Sequence, residues 1–113
     1  MDTTSQPSST GLDPNLAGLL TYLLGFVSGL IFLVLEKQSP YVRFHAYQST
    51  IAFLTLIIAG FVLGLLPLIG DLLGSVVRLA TLVLWVVLMF KAYQGERFKL
   101  PIVGDMAEER AGA

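Results

Sequence analysis

Three long apolar runs dominate the chain, and short polar stretches separate them. From Pro14 to Leu35 the sequence carries no charged residue, and a helix of about 20 apolar residues spans the hydrocarbon core of a bilayer. The second run covers about 44–66 and the third about 71–90. Residues 14–95 are therefore predicted to form an all-α integral membrane bundle of three transmembrane helices.

A capping residue followed by proline marks the predicted start of two helices. Asp13 before Pro14 and Ser39 before Pro40 can accept the unpaired backbone N–H groups of a first turn, where proline loses no hydrogen bond. A helix that begins at Pro40 is longer than a bilayer requires, so its first turns are expected to extend at the cytoplasmic interface. Pro67 is expected to end or kink this helix.

The two ends of the chain are more polar than the runs between them. Residues 1–13 are rich in Ser, Thr and Pro, a composition typical of disordered tails. Residues 96–113 mix apolar and basic side chains, which predicts a cytoplasmic strap on the lipid headgroups followed by a polar tail. One short helical turn is expected from Asp105 to Arg110.

Glycines recur at close spacing in all three apolar runs. In lipid, helices associate through close packing, and small residues four positions apart permit close approach. Glycine is also common in membrane helices in general. The predicted packing positions are Gly25, Gly29, Gly60, Gly64, Gly70 and Gly74.

Composition agrees with a membrane protein and excludes several other classes. The chain is 55% hydrophobic and 13% charged, whereas soluble domains carry about 25% charged residues. Its net charge of −1 and its lack of a basic stripe argue against binding to nucleic acid. The absence of cysteine excludes disulfides and thiolate metal sites.

Basic residues next to the apolar runs predict an orientation. They lie in the first connection and after the third run, and with three spans both regions fall on one side. The positive-inside rule then places the N-terminus outside and the C-terminus in the cytoplasm. The residues concerned are Lys37, Arg43, Lys91, Arg97 and Lys99.

Arg78 is a charge inside the third apolar run, where arginine costs about 2.5–3.5 kcal/mol at the centre of a span. Asp71 lies seven residues earlier, on nearly the same helical face, with Ser75 between them. The spacing predicts an intramembrane polar pair of Asp71 and Arg78. An ion or substrate pathway lined by these residues is the alternative.

Catalytic and metal-binding signals are weak. His45 is the single histidine, and Glu36 is the nearby carboxylate, so one chain offers too few ligands for a usual metal site. We interpret His45 as a solvated interfacial residue that hydrogen-bonds Glu36 or lipid headgroups. The sequence also lacks a zinc-protease motif and a phosphate-binding glycine loop. We expect no enzyme activity, metal or cofactor.

The polar stretch from Glu36 to Ser49, interleaved with aromatic residues, is predicted to form the functional face. We expect it to meet the C-terminal segment on the cytoplasmic side. The residues of this predicted interaction face are Glu36, Lys37, Arg43, His45, Gln48, Lys91, Gln94, Glu96 and Arg97.

Three segments resemble the Tic-twenty-like family of small bacterial membrane proteins, a domain of unknown function. They are LAGLLTYLLGFVSGLIFLVLEK, SPYVRFHAYQS and KAYQGERFKLPIVGDMAE, and the resemblance covers Leu16 to about Glu109. The plastid namesake of that family is a subunit of a protein-import machinery, usually with four helices, where this chain shows three spans. The resemblance implies a bacterial plasma membrane location and a shared surface for the polar stretch and the tail.

Together these observations favour a non-enzymatic membrane subunit or adaptor that uses a cytoplasmic polar face, linked by the resemblance to protein insertion or translocation. The expected partners are membrane lipids and a membrane protein or a second copy of the chain. The alternative is a homo-oligomeric small transporter or channel, with Asp71, Ser75 and Arg78 along its conduit. A lipid-binding role of the polar stretch is a third possibility.

Overall fold

The computed structural model describes residues 8–111 and contains five α-helices in that range. Two of them, α3 and α4, are long and apolar enough to cross a membrane, whereas α1 and α2 have ten residues each. The range contains no β-strand, so the all-α class is confirmed. The helices are α1 (Pro14–Leu23), α2 (Phe26–Leu35), α3 (Pro40–Gly64), α4 (Gly70–Tyr93) and α5 (Val103–Ala111).

The predicted first span is interrupted, so it is not one continuous helix. Gly25 has a φ of +62°, a left-handed conformation that glycine adopts without the penalty of a side chain. The Ser28 hydroxyl accepts the N–H of Leu24 at 3.0 Å and donates to the carbonyl of Thr21 at 2.9 Å. A serine inside the apolar run therefore closes a turn between α1 and α2.

The two short helices form a hairpin whose ends lie together. The Ser9 N–H donates to Oε2 of Glu36 at 2.7 Å, and the Ser9 hydroxyl accepts the N–H groups of Lys37 and Gln38 at 2.7 and 3.0 Å. Ser9 precedes α1 and Glu36 follows α2, so the chain enters and returns on one side. Residues 8–13, predicted to be disordered, form this contact, and residues 1–7 lie outside the described range.

The α1–α2 hairpin covers only part of α3. At its open end, Gly18 packs against Tyr41, and at its closed end Gly25 faces Phe53. Phe53 lies 13 residues after the start of α3, which corresponds to about 20 Å of helix. We call the end of the molecule that carries residues 36–39 and 94–111 the tail end, and the opposite end, residues 65–69, the connection end.

This arrangement differs from the predicted three-span topology. Ser9 and Glu36 meet at the tail end, and the backbone carbonyl of Glu96 meets His45 there too. Residues near both ends of the described range therefore lie at the same end of the α3–α4 hairpin. The predicted placement of the two termini on opposite sides of the membrane gains no support from this geometry.

The glycines serve different purposes along the chain. A Cβ added to Gly29 would lie 2.7 Å from the Thr50 hydroxyl, so α2 and α3 approach closely there. A Cβ added to Gly60 would lie 3.4 Å from Val77 across the α3–α4 interface. Gly70 packs against the backbone of Gly64, whose own added Cβ would meet nothing within 4 Å. Tight helix packing therefore occurs at some of the predicted positions.

The C-terminal segment ends in a helix longer than the single turn predicted from Asp105 to Arg110. In α5, Ala107 and Ala111 pack against Phe44 of α3. Lys99 forms ion pairs with Asp105 at 3.3 Å and with Glu108 at 2.9 Å. The tail is thus docked on the start of α3.

Candidate functional site

A cluster of buried polar side chains lies inside the molecule near the tail end. Tyr22 comes from α1, and His45 and Gln48 lie three residues apart on α3, so both project from one helical face. All three side chains are fully buried. Uncompensated burial of polar groups is costly, so the partners of this cluster determine what it does.

The hydrogen bonds of the cluster form one continuous chain. Gln48 Nε2 donates to the Tyr22 hydroxyl at 2.9 Å, which lies 2.6 Å from Nδ1 of His45. His45 Nε2 lies 3.0 Å from the carbonyl oxygen of Glu96. Because a carbonyl only accepts, Nε2 carries a proton. A charge is costly in this buried position, so we assign the neutral ring, in which Nδ1 accepts the Tyr22 hydroxyl proton. Both ring nitrogens are thus hydrogen-bonded.

The same cluster holds the C-terminal segment. Gln48 Nε2 donates to the carbonyl of Phe98 at 2.8 Å, and Gln48 Oε1 accepts the N–H of Leu100 at 2.9 Å. The Tyr41 hydroxyl donates to the carbonyls of Ala92 and Glu96. The predicted contact between the polar stretch and the tail is therefore present, and it uses the tail's backbone.

A second set of polar contacts surrounds the break between α1 and α2. Helix ends leave carbonyls without helical partners, and in a membrane these need other donors. The Ser49 hydroxyl lies 2.7 Å from the carbonyl of Thr21 and 2.8 Å from that of Gly25. Trp85 Nε1 donates to the carbonyl of Tyr22 at 2.7 Å. Residues from α3 and α4 thus complete the backbone of the hairpin tip.

The prediction that His45 is solvated is wrong. Its ring is fully buried and packs edge-to-face against Tyr22, Tyr41 and Phe44, with centroid distances of 5.4, 4.6 and 4.9 Å. The polar spacing of the sequence suggested a surface, but aromatic neighbours from α1 and α3 enclose the ring. His45 and Gln48 are therefore unavailable to a partner at the predicted interaction face.

Glu36 is also buried, and its carboxylate closes the connection between α2 and α3. Oε2 accepts the N–H groups of Ser9, Gln38 and Ser39 at 2.7, 3.1 and 2.9 Å. Glu36 thus supplies a hydrogen-bond acceptor to the backbone of this tight connection, and its role there is structural. Arg43 donates to the backbone carbonyl of Glu36 at 3.1 Å.

The other members of the predicted face remain at least partly accessible. Lys37, Gln94 and Glu96 are exposed, and Lys91 pairs with Glu96 at 3.4 Å. These side chains do not join the polar stretch to the tail as ion pairs in the range 8–111. What remains is a charged surface around the docked tail.

Two basic residues of the tail have shifted pKa values. The Arg97 guanidinium lies 5.7 Å from the centre of the Phe44 ring, a cation–π distance, and partial burial lowers the pKa of Arg97. Hydrogen bonds to Glu108 and Asp105 raise the pKa of the Lys99 ammonium group. The contact of Arg97 holds the tail against α3, and the contacts of Lys99 hold α5 against the segment that precedes it.

Asp71 and Arg78 lie in the other half of the molecule, and both are exposed. The Arg78 guanidinium donates to the Ser75 hydroxyl at 2.9 Å, and among residues 8–111 it forms no ion pair with Asp71. Seven helical residues span about 10.5 Å along the axis, and the arginine side chain already ends at Ser75, one turn away. The predicted polar pair is thus not formed.

Sequence reasoning missed three contributors to the buried network. Tyr22 and Ser28 lie inside the first apolar run and Trp85 inside the third, and both runs predicted plain transmembrane helices. The available signal was the presence of hydrogen-bonding side chains within apolar runs, where each needs a partner. Their partners come from distant parts of the chain, so local spacing did not reveal them.

Comparison with known proteins places the chain in a family. Residues 10–107 match the model of the magnetosome magnetite crystal formation protein family. A UPF0132 membrane protein of Methanocaldococcus jannaschii is 48% identical over 102 residues, which cover 90% of this chain and 92% of the relative. One from Archaeoglobus fulgidus is 48% identical over 98 residues, covering 87% of this chain and 95% of the relative. No solved structure matches significantly.

The expected membership of the Tic-twenty-like family is wrong. The family model that matches nearly the whole chain is a different one, and the similar membrane proteins described above are archaeal. The import role and the bacterial location that depended on this resemblance lose their basis. The shared feature that remains is the membrane, which the names of the relatives state.

Proposed function

The chain belongs to the magnetosome magnetite crystal formation protein family and to the UPF0132 membrane proteins, and we propose that it acts as a non-enzymatic membrane adaptor. It binds a partner, either another membrane protein or a second copy, through the surface of its tail end. Its α3–α4 hairpin anchors it, and membrane lipids cover its apolar faces.

One observation carries this proposal: apart from the α1–α2 hairpin and residues 65–69, the described segments outside the two long helices converge on the tail end. Residues 8–13 contact the turn 36–39, and the segment 94–111 contacts the start of α3. The connection end consists of apolar residues 65–69. A protein that spans the membrane with one elaborated end and one minimal end is suited to present a surface on one side.

The charges support a cytoplasmic position for that surface. Six basic residues lie at or near the tail end, whereas the connection half carries Arg78 alone, and positively charged flanks favour the cytoplasmic side. The six are Lys37, Arg43, Lys91, Arg97, Lys99 and Arg110.

The buried network supports a structural rather than a chemical use of the polar residues. The ring nitrogens of His45 and the amide of Gln48 are all engaged in holding α1 and the tail. No group of three or more His, Cys, Asp or Glu side chains that could hold a metal ion lies within residues 8–111. We therefore base the role on the charged surface and not on the crystal formation in the family's description.

The test is native mass spectrometry of the protein extracted gently from its own membrane, with surface variants. We expect a defined complex, with another membrane protein or with a second copy, that is lost in the double variant Lys37→Ala/Gln94→Ala, since both residues are exposed at the tail end. The matched control is Leu72→Ala on the apolar surface of α4, which should retain the complex.

The outcomes separate the candidate functions. Loss of the complex in both variants to the same extent would contradict a tail-end interface. A homo-oligomer as the sole complex, unchanged by the tail-end substitutions, would instead favour the transporter alternative.

A further inference from the structure

A groove between α3 and α4 lies in the connection half of the molecule, beyond the tip of the α1–α2 hairpin. It has a volume of about 350 Å³, and its surface is mainly apolar. Arg78 is the charged residue in its lining. The other lining residues include Leu56, Gly60, Phe61, Gly74, Val77 and Thr81.

Two glycines open this groove. Gly60 of α3 and Gly74 of α4 contribute no side chains, and a Cβ added to Gly74 would lie 3.5 Å from Nη1 of Arg78. The guanidinium therefore lies beside the glycine-lined floor, where a larger residue would fill the space. The groove therefore has a mainly apolar lining and one cation at its edge.

A second hollow of about 340 Å³ adjoins the first on the other side of Arg78. It lies at the tip of the hairpin, between Leu23, Gly25, Phe53 and Trp85. Its lining is also mainly apolar. Arg78 thus lies between two hollows whose linings are mainly apolar.

The charge of Arg78 is not balanced by a carboxylate among residues 8–111. Its guanidinium makes one hydrogen bond in the described range, to the Ser75 hydroxyl at 2.9 Å. Asp71 is the carboxylate of this half, and it forms no ion pair with Arg78 among residues 8–111. A cation at membrane depth requires an anionic or polar partner, and in the part of the chain that the structure describes only the Ser75 hydroxyl fills that role.

We propose that the groove binds one phospholipid, with its phosphate on Arg78 and the Ser75 hydroxyl and an acyl chain between α3 and α4. The phosphate is an acceptor that matches the planar donors of a guanidinium, and the hydrocarbon matches the apolar lining. This site is independent of the tail-end surface.

The depth of Arg78 agrees with a lipid from the leaflet at the connection end. Arg78 lies eight residues after the start of α4, which corresponds to about 12 Å along the helix. Side chains lean toward the N-terminus of their helix, and the bond to Ser75 shows this direction. The guanidinium is thus directed toward the headgroups of that leaflet.

Native mass spectrometry with added lipid tests the site. The delipidated protein is titrated with phosphatidylglycerol and, separately, with diacylglycerol that carries the same acyl chains. We expect the wild type to prefer phosphatidylglycerol, and Arg78→Gln to lower this affinity about tenfold, as the loss of one charge-assisted contact implies. The control Arg110→Gln removes an exposed cation of α5 and should leave the affinity for phosphatidylglycerol unchanged. Equal affinity of the wild type and Arg78→Gln would overturn the proposal.

A photoreactive probe tests the site without any variant. Phosphatidylglycerol with a diazirine in its acyl chain is added to the wild type, and the adducts are mapped by mass spectrometry. We expect them on residues 56–61 and 74–81. Adducts spread evenly over the apolar surface, or a second copy of the chain crosslinked into the groove in place of lipid, would overturn the proposal.

Discussion

The Tyr22 hydroxyl lies 2.6 Å from Nδ1 of His45, and this bond joins α1 to α3 across 23 positions of the sequence. The two rings meet edge-to-face, with centroids 5.4 Å apart. The same hydroxyl accepts Gln48, whose amide holds the tail. One phenol oxygen therefore connects the hairpin, the first long helix and the C-terminal segment.

Removing this oxygen should destabilise the protein. Tyr22→Phe leaves Nδ1 of His45 and one amide proton of Gln48 buried without partners, and an unsatisfied buried group costs about 1–3 kcal/mol. The free energy of unfolding in detergent, followed by circular dichroism, should fall by that amount. Tyr93→Phe removes an exposed hydroxyl and is the control. Equal stability of the two variants would show that the network contributes little.

The hairpin tip should depend on Ser49. Ser49→Ala removes the hydroxyl that bonds the carbonyls of Thr21 and Gly25, and we expect a loss of about 1–2 kcal/mol in unfolding free energy. Ser75→Ala, which deletes an exposed hydroxyl of the same size, should cost less. The measurement is thermal unfolding of both variants in the same micelles. A larger effect of Ser75→Ala would contradict the assignment.

Two glycines should respond oppositely to alanine. Gly29→Ala places a methyl group 2.7 Å from the Thr50 hydroxyl and 3.0 Å from the Ala46 carbonyl, so we expect a loss of about 1–3 kcal/mol from overpacking. Gly64→Ala meets nothing within 4 Å and should be neutral or stabilising by up to about 1 kcal/mol. Denaturation midpoints in detergent compare them. If Gly29→Ala were as stable as the wild type, α2 and α3 would have to lie further apart than in the structure.

Cysteine labelling should report which segments share a side. The chain has no cysteine, so single substitutions give unambiguous signals. We expect Asp13→Cys and Glu109→Cys to react with a membrane-impermeant maleimide from one side, and Leu68→Cys from the other. Labelling of Asp13→Cys together with Leu68→Cys would mean that residues 14–35 cross the membrane.

The all-α class and the two long helices followed directly from the sequence. Ser39 before Pro40 predicted the start of α3, and the Ser39 hydroxyl indeed accepts the N–H of Val42 at 3.3 Å. The Asp13 carboxylate likewise accepts the N–H of Asn15 at 3.4 Å, although more weakly. These are local signals, because a cap and a proline act within one turn.

The hairpin and the buried network were not predictable in the same way. Gly25 fits a continuous helix with a small-residue face as well as it fits a left-handed turn. The hydrogen bonds of Ser28 favour the turn, and these bonds are visible only in the folded structure. His45 lies among polar neighbours in the sequence, but its partners come from α1 and the tail. Long-range contacts of this kind leave no periodic pattern in one chain.

The residues that hydrogen-bond to the hairpin tip are also synthesised after it. Synthesis proceeds from the N-terminus, so Thr21 and Tyr22 leave the ribosome before Ser49 and Trp85, which follow 28 and 63 residues later. Until α4 has been made, the carbonyl of Tyr22 has no indole to bind. The hairpin tip therefore cannot complete its hydrogen bonds before the second long helix has been made.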